Sequence, residues 1–269
     1  MKSKTSQPTI AAPVNRTSNR AAWLRGADAV CSTIPEQSKN PQRLILLGAP
    51  GVGKGTQADL LHQWCGACHL STGDIFRGAK NLPQGERSPA MEKALAYMVR
   101  GELVPDQTVL DVVCERVGCL RCGGGFLLDG FPRTVAQAEA LEQLLTKENL
   151  PLTAVLDYDL PIEQIVERLA GRRVCASCHL ISHVTEKAPE ICPQCGGKLY
   201  QREDDRPQAI RVRMEAYRRS TTPLTEFYGK RSLLLTISAD GTPAEILQRT
   251  VDALAKRHAH GNGGTRPAS

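Results

Sequence analysis

Leu44-Ile-Leu-Leu-Gly48-Ala-Pro-Gly51-Val-Gly53-Lys54-Gly55-Thr56 is the stretch around which the chain is organised. Residues 44–47 form a short apolar run, of the kind buried on both faces of a parallel sheet. Gly48, Gly51, Gly53 and Gly55 follow within eight residues, with Lys54 and Thr56 among them. Apolar strand, glycine loop and helix start, in that order, is the context in which such a loop grips phosphate. Glycines reach backbone angles closed to other residues, so successive N–H groups can turn toward one anion. A helix opening near Lys54 adds the positive end of its dipole. Lys54 supplies a point charge for the outer phosphates, and Thr56 a hydroxyl for Mg²⁺. Gly51, Val52, Gly53, Lys54, Gly55 and Thr56 are therefore the expected nucleotide triphosphate cradle. Gly55, between Lys54 and Thr56, departs from the common G-x-x-x-x-G-K-[ST] spacing. A glycine-rich turn before an ordinary helix is the competing reading; strand, spacing and lysine all speak against it.

The chain has 269 residues, enough for a substantial core as one domain or as a core with insertions. Its formal charge is +6. The arginines cluster in the middle and later chain, which suits phosphate ligands as well as nucleic acid. No apolar stretch approaches the roughly 18 residues of a membrane span. Eight of the ten cysteines fall in four C-x-x-C pairs. Beside a phosphate loop, this favours reduced thiols and metal over secretory disulfides. Residues 1–41 are polar, with six basic and two acidic residues and no periodic apolar face. They read as a disordered extension, with an organelle transit peptide as the alternative. Residues 258–269 read as a Gly/Pro/Ser tail.

Along the chain, residues 57–64 continue the first helix, and residues 69–74 suggest a short strand and turn. Ser88 and Pro89 suit an N-cap and first helical residue. Met91, Leu95 and Met98 then recur at helical spacing, and Gly101 suits the end of that helix. Residues 126–129 read as a second buried strand, followed by a helix over 135–145. An acid at the end of such a strand, near a phosphate loop, is placed to hold Mg²⁺ or its waters. Asp129 is that candidate; a turn cap is its plainer reading. Residues 154–158 and 233–237 suit further strands. Helices are expected from Pro161, around Ile210, Met214 and Tyr217, and after the capping box Thr242-Pro-Ala-Glu245. This alternation predicts an α/β fold with a parallel sheet covered on both faces and ligands at the carboxyl ends of its strands.

Residues 172–205 break the alternation. Cys175-Ala-Ser-Cys178 and Cys192-Pro-Gln-Cys195 have thirteen residues between them, and Gly196-Gly197 follows the second pair. Two such knuckles in a short polar insert point to a Cys₄ zinc site. The insert has too few apolar residues for a core, so the metal would supply folding free energy. Four protein ligands make the site structural and closed. A free-standing zinc ribbon that binds nucleic acid is the competing reading. Cys65-Gly-Ala-Cys68-His69 spells a haem-attachment motif, but it sits between a helix and a strand.

The segment 48–56 resembles the phosphate loop of the nucleoside monophosphate kinases, and motifs in the right order narrow this to the adenylate kinases over roughly residues 43–256. Ser71-Thr72-Gly-Asp74 with Arg77 is similar to the family's monophosphate site, where the arginine holds the AMP phosphate. Glu102, Leu103 and Val104 match the segment that lines the AMP pocket. Asp129-Gly130-Phe-Pro-Arg133 matches the family signature, which implies that Arg133 is a second phosphate arginine. Gln137 matches the residue that reads adenine through its amide, a group that both donates and accepts. Thr72 favours AMP, since relatives preferring UMP or CMP usually carry Ala there. Arg168, Arg172, Arg202 and Arg213 fall where the family places phosphate arginines. Of these, Arg172 is expected on ATP, and Arg202 and Arg213 on the AMP side and the transferred group. With Lys54, Arg133 and Asp129 they make up the implied catalytic set.

The resemblance implies a domain over 42–257: a P-loop parallel core, a small helical AMP-binding insert (about 71–104) and a zinc-bearing lid (about 172–205). It implies Mg·ATP plus AMP giving two ADP, reversibly, without a covalent enzyme intermediate. ATP, AMP and ADP are the expected partners; no nucleic acid or membrane is expected. The chain is expected to be a cytoplasmic monomer. The lid departs from the family pattern at His179, where Gly is usual, and at Ser182, where an aromatic is usual. The strands after Cys65-x-x-Cys68 and Cys119-x-x-Cys122 are parallel neighbours in the family fold, about 4.8 Å apart. Both pairs are therefore expected to meet at the sheet edge opposite the active site. They would form a second structural metal site or a thiol cluster, or stand as four small buried thiols. Rival functions are a kinase using GTP or another monophosphate, and a nucleic-acid-binding ATPase.

Overall fold

The computed structural model describes residues 40–79, 82–99, 104–178, 180–183 and 191–261. β1 (Gln42–Gly48) leads through the glycine loop into α1 (Lys54–Cys65). β2 (Cys68–Ser71) passes directly into α2 (Thr72–Ala79), so the turn expected up to residue 74 is already helix. α3 (Pro89–Val99) opens with Ser88 Oγ accepting from the Met91 backbone N–H, as an N-cap does. α4 (Asp106–Cys114) and the single turn α5 (Val117–Leu120) precede β3 (Gly125–Asp129). Next come α6 (Val135–Lys147), β4 (Ala154–Asp159) and α7 (Ile162–Gly171). β5 (Arg172–Cys175), β6 (Ile181–His183) and β7 (Leu199–Tyr200) form a separate antiparallel sheet in the order β6-β5-β7. α8 (Pro207–Ala216), a wide π turn, α9 (Pro223–Gly229), β8 (Leu234–Ser238) and α10 (Pro243–Gly261) complete the chain.

The main sheet has five strands in the order β2-β3-β1-β4-β8, paired in parallel throughout. The apolar run of β1 explains its central place. Leu44 and Leu46 enter one core with Leu61, Leu127, Leu156 and Leu169. Ile45 and Leu47 enter the other, with Leu70, Phe126, Leu128 and Phe131. Side chains alternate across a strand, so a run with no polar member must be buried on both sides. Each such side chain contributes about 1.5–3 kcal/mol on burial.

Helix ends follow local chemistry. Thr134 Oγ1 accepts from the Gln137 backbone N–H at 3.1 Å and caps α6. Thr242 and Glu245 exchange the two hydrogen bonds of a capping box at the start of α10. That helix runs on to Gly261, past the boundary expected at residue 257. Glu102, Leu103, Gly101 and His179, the extension over 1–39, residues 262–269 and the Arg77 side chain lie outside what the structure describes.

Candidate active site

Register sets the site. Leu46 of β1 stands beside Asp129 of β3, Ser71 of β2 beside Asp129, and Gly48 of β1 beside Tyr158 of β4. The carboxyl ends of four strands thus bring the glycine loop, the 71–77 segment and the 129–133 loop to one edge, where parallel sheets present ligand sites.

Gly48 has φ 131°, and a Cβ there would lie 2.5 Å from the Tyr158 carbonyl oxygen, so close strand packing demands glycine. Gly53 has φ 110° and would meet nothing within 4 Å, so conformation rather than space demands glycine there. It is the N-cap of the 12-residue α1, and its backbone points that helix's free N–H groups into the loop. Gly51, Val52, Gly55 and Thr56 complete the turn. Lys54 Nζ donates to the carbonyl oxygens of Gly48 (2.6 Å) and Ala49 (2.9 Å). Its pKa falls from 10.5 to about 8: burial is the main cause, Arg133 and Arg213 add to it, and Asp129 opposes it.

Asp129 sits beside the start of α1, with Oδ2 3.7 Å from where a Gly55 Cβ would stand. Burial alone would raise its pKa. His69, as hydrogen-bond donor and as charge, with Lys54 and Arg133, outweighs burial and lowers it. His69 is itself buried, with Nε2 3.5 Å from Asp129 Oδ2 and Nδ1 3.2 Å from Asp59 Oδ1. Neither Asp59 nor His69 is among the site residues expected from the sequence. A histidine just before Ser71-Thr72, ten residues after an acid on a helix, was the available signal.

The 71–137 region is held by short polar links. Thr72 Oγ1 donates to the Gly130 carbonyl at 2.9 Å, and Arg133 Nε donates to the same oxygen at 2.8 Å. A Cβ on Gly130 would approach the Thr72 hydroxyl to 3.0 Å. The Phe131–Pro132 peptide between them is cis. Gln137 is buried, and both ends of its amide are in use. Nε2 donates to Asp106 Oδ1 at 2.7 Å, and Oε1 accepts from the Arg133 backbone N–H at 2.7 Å. One N–H and one lone pair therefore remain, with the orientation of the amide fixed. Val104 packs on the same side of the sheet as Phe131.

The later arginines are organised by a pair of acids that sequence reading did not single out. Asp205, fully buried, takes Arg172 in a two-pronged ion pair, Nε donating to Oδ2 at 2.7 Å and Nη2 to Oδ1. Asp204 takes Arg202 in the same way, Nε donating to Oδ1 at 2.8 Å and Nη2 to Oδ2. Arg213 bridges the two, 3.1 Å from Asp204 Oδ2 and 3.4 Å from Asp205 Oδ1. Burial lowers the Arg213 pKa, and Asp204 opposes that. Arg168 donates to the carbonyls of Val52 and Ala239 instead, bracing the glycine loop against the end of β8.

In the small sheet, Cys175, Cys178, Cys192 and Cys195 gather with all four Sγ atoms within 4.8 Å of one another. Cys175–Cys195 and Cys178–Cys192 are 3.4 and 3.6 Å apart. Sulfurs bound to one Zn²⁺ at about 2.3 Å stand about 3.8 Å apart, so the residues fit that ion. Backbone N–H groups of Ser177 and Cys178 point at Cys175 Sγ, and that of Gln194 at Cys192 Sγ. A Cβ on Gly197 would press to 2.9 Å on Cys175 Sγ. The pairs Cys65/Cys68 and Cys119/Cys122 form no such group. Cys65 packs into the core of one sheet face, while Cys68 and Cys119 pack into the core of the other. Among the described residues the lid quartet is the one group of three or more that could share an ion. Of the expected meeting of the two C-x-x-C pairs as a metal site, what the structure shows is a thiol contact, Cys68 Sγ donating to Cys122 Sγ at 3.0 Å.

A glycine loop at the carboxyl ends of parallel strands, with a buried Lys54 on which Asp129, Arg133 and Arg213 act, defines a P-loop phosphotransferase. Comparison with known proteins narrows the class. The family model described as Adenylate kinase matches residues 46–233. The chain is 45% identical over 218 residues to an adenylate kinase of Thermodesulfovibrio yellowstonii, covering 80% of this chain and 100% of that protein. It is 44% identical over 217 residues to one from Streptomyces griseus (79% and 97% covered). It is 45% identical over 216 residues to one from Caldicellulosiruptor saccharolyticus (79% and 98%). The chain belongs to the adenylate kinase family.

Proposed function

We propose that the protein transfers the γ-phosphoryl group of ATP to AMP, giving two ADP, and that it does so reversibly. The observation that carries this reading is the convergence of Asp129, Arg133 and the Asp204-held Arg213 on the buried Lys54 of the glycine loop. Phosphoryl transfer asks the protein for alignment, charge neutralisation and exclusion of water rather than for a nucleophile. In this reading Gly51 to Thr56 hold the ATP phosphates, with Arg172. Thr72, Arg77, the 102–104 segment, Gly130, Arg133 and Gln137 hold AMP. Arg202 and Arg213 neutralise charge on the AMP side and on the moving group.

Thr56 and the ionised Asp129 would hold Mg²⁺ or its waters. When bound, that ion neutralises charge on the transferred phosphoryl. Cys175, Cys178, Cys192 and Cys195 would hold a structural Zn²⁺ that fixes the small sheet. The 71–104 and 172–205 inserts would be the moving parts that close over the two nucleotides and keep water out. A monomer in a reducing, cytoplasmic setting suits the unbridged cysteines. Among the described residues, no helix is long and apolar enough to cross a membrane.

Incubation with γ-labelled ATP and AMP tests the transfer. The label is expected in ADP; label accumulating as inorganic phosphate at the rate of ATP loss would contradict it.

A further inference from the structure

Two cysteines from different C-x-x-C motifs meet at the end of the sheet away from the glycine loop. Cys68 is the first residue of β2, and Cys122 lies in the turn entering β3. Their sulfurs are 3.0 Å apart, and neither cysteine is fully buried. The backbone on both sides is pinned. A Cβ on Gly124 would lie 2.4 Å from the Gly66 carbonyl oxygen, so the two turns press directly together. The Gly125 N–H donates to the Cys122 carbonyl at 2.9 Å, and the Gln42 N–H to the Gly124 carbonyl at 3.1 Å. His62 Nδ1 and the Ala67 carbonyl, 2.7 Å apart, tie the other turn to α1. Neither thiol has to search for its partner.

The other cysteine of the first motif is a poor competitor. Cys65 lies in the opposite core and donates its S–H to the Leu61 carbonyl at 3.0 Å. Burial raises its pKa, which keeps it a thiol. Cys122 behaves in the opposite way. The Cys68 S–H hydrogen bond, helped by the backbone N–H groups of Gly124 and Gly123, lowers its pKa to about 6 against the effect of burial. Cys122 thus favours the thiolate, the reactive form, with a thiol already hydrogen-bonded to it.

We propose that Cys68 and Cys122 form a reversible disulfide by exchange with a small-molecule disulfide, stapling the start of β2 to the approach to β3. The Cys122 thiolate attacks one sulfur of R–S–S–R. The S–S bond breaks, one RS⁻ leaves and is protonated by solvent, and a mixed disulfide Cys122–S–S–R remains. Cys68 loses its proton and attacks the Cys122 sulfur, and the second R–S⁻ leaves with that proton. Two protein thiols are oxidised and one small disulfide is reduced to two RSH. The closed ring joins residues 54 apart in sequence. A ring of that size should raise the melting temperature on the order of 5–10 °C. The pair stands roughly 10 Å along β2 from Ser71, so the staple acts on the fold rather than on the reacting groups.

The full-length, zinc-loaded protein is treated with oxidised glutathione at pH 7, and remaining thiols are alkylated before peptide mapping. A peptide pair cross-linked through Cys68 and Cys122, cleared by dithiothreitol, is the expected product. A persistent glutathione adduct on Cys122, a cross-link to Cys65 or Cys119 instead, or alkylation of both thiols as in the untreated protein would overturn the proposal. Thermal denaturation of oxidised and reduced samples gives the second reading. The shift is expected in the native sequence and absent in Cys122→Ser and Cys68→Ser; the same shift in those variants would assign it to other cysteines. Peptide mapping of the unaltered protein decides the matter even where a variant folds poorly.

Discussion

Lys54 shows how much one buried side chain depends on its neighbours. Burial lowers its pKa to about 8 in the nucleotide-free protein, and the anionic phosphates of ATP favour its charged form. Below pH 8 the ammonium is already present; above it, ATP must bind together with a proton. ATP affinity measured by calorimetry between pH 7 and 9.5 should therefore be flat at first and then weaken, approaching tenfold per unit. An unchanged affinity up to pH 9.5 would mean that Lys54 keeps its ordinary pKa. Gln137 makes a second case. Asp106 fixes the direction of its amide through the 2.7 Å bond from Nε2. Asp106→Ala should raise KM for AMP roughly tenfold, about the worth of one charge-assisted hydrogen bond, and leave KM for ATP within about twofold. Steady-state kinetics in each substrate separates the two.

Among the elements, the small sheet is the one expected to depend on metal. Its sheet has three short strands, and its buried core is Cys175, Cys192 and Leu199. Elemental analysis should find one zinc per chain, lost in Cys175→Ser together with the protease resistance of residues 172–200. Two zincs per chain, or one zinc retained in that variant, would refute the assignment of the ion to this quartet. Below the lid, Asp205 joins Arg172 to Arg213 with no exposure to water. Asp205→Ala leaves Arg172 without its acid and Arg213 with Asp204 alone, and should destabilise the protein by about 3–5 kcal/mol in urea denaturation. The main elements were legible from the chain because their signals are local. β1 announced itself by four adjacent apolar residues, α10 by its capping box, and the gathering of Cys175, Cys178, Cys192 and Cys195 by spacing. The Asp204/Asp205 network was not legible, since its Arg172–Asp205 bond joins residues 33 apart through the return of the chain from the lid. α4 has a readable trace, Val109, Val112 and Val113 on one face after Pro105, though no helix is expected there above. Cys65 and Cys68 look equivalent in sequence, yet one ends a helix on one side of the sheet and the other begins a strand facing the opposite core.

At the scale of the whole molecule, a parallel sheet gathers loops from four strands at one edge, and its other end is left to structural contacts such as Cys68 and Cys122. Chemistry and stabilisation therefore occupy opposite ends of the same strands. The catalytic reading rests on two nucleotides being bound at once, with the arginines of the later chain standing between them. A nucleic-acid-binding ATPase would use the same glycine loop, but would leave Arg133, Gln137 and their partners without a substrate to contact. The measurement that separates these most directly is the rate of ADP formation from Mg·ATP, with no monophosphate and with AMP, UMP, CMP or GMP in turn. ADP appearing with AMP, and at least a hundredfold more slowly with the other monophosphates or with none, is the expected result. ADP formed at an equal rate without any monophosphate would contradict it and assign the glycine loop to hydrolysis.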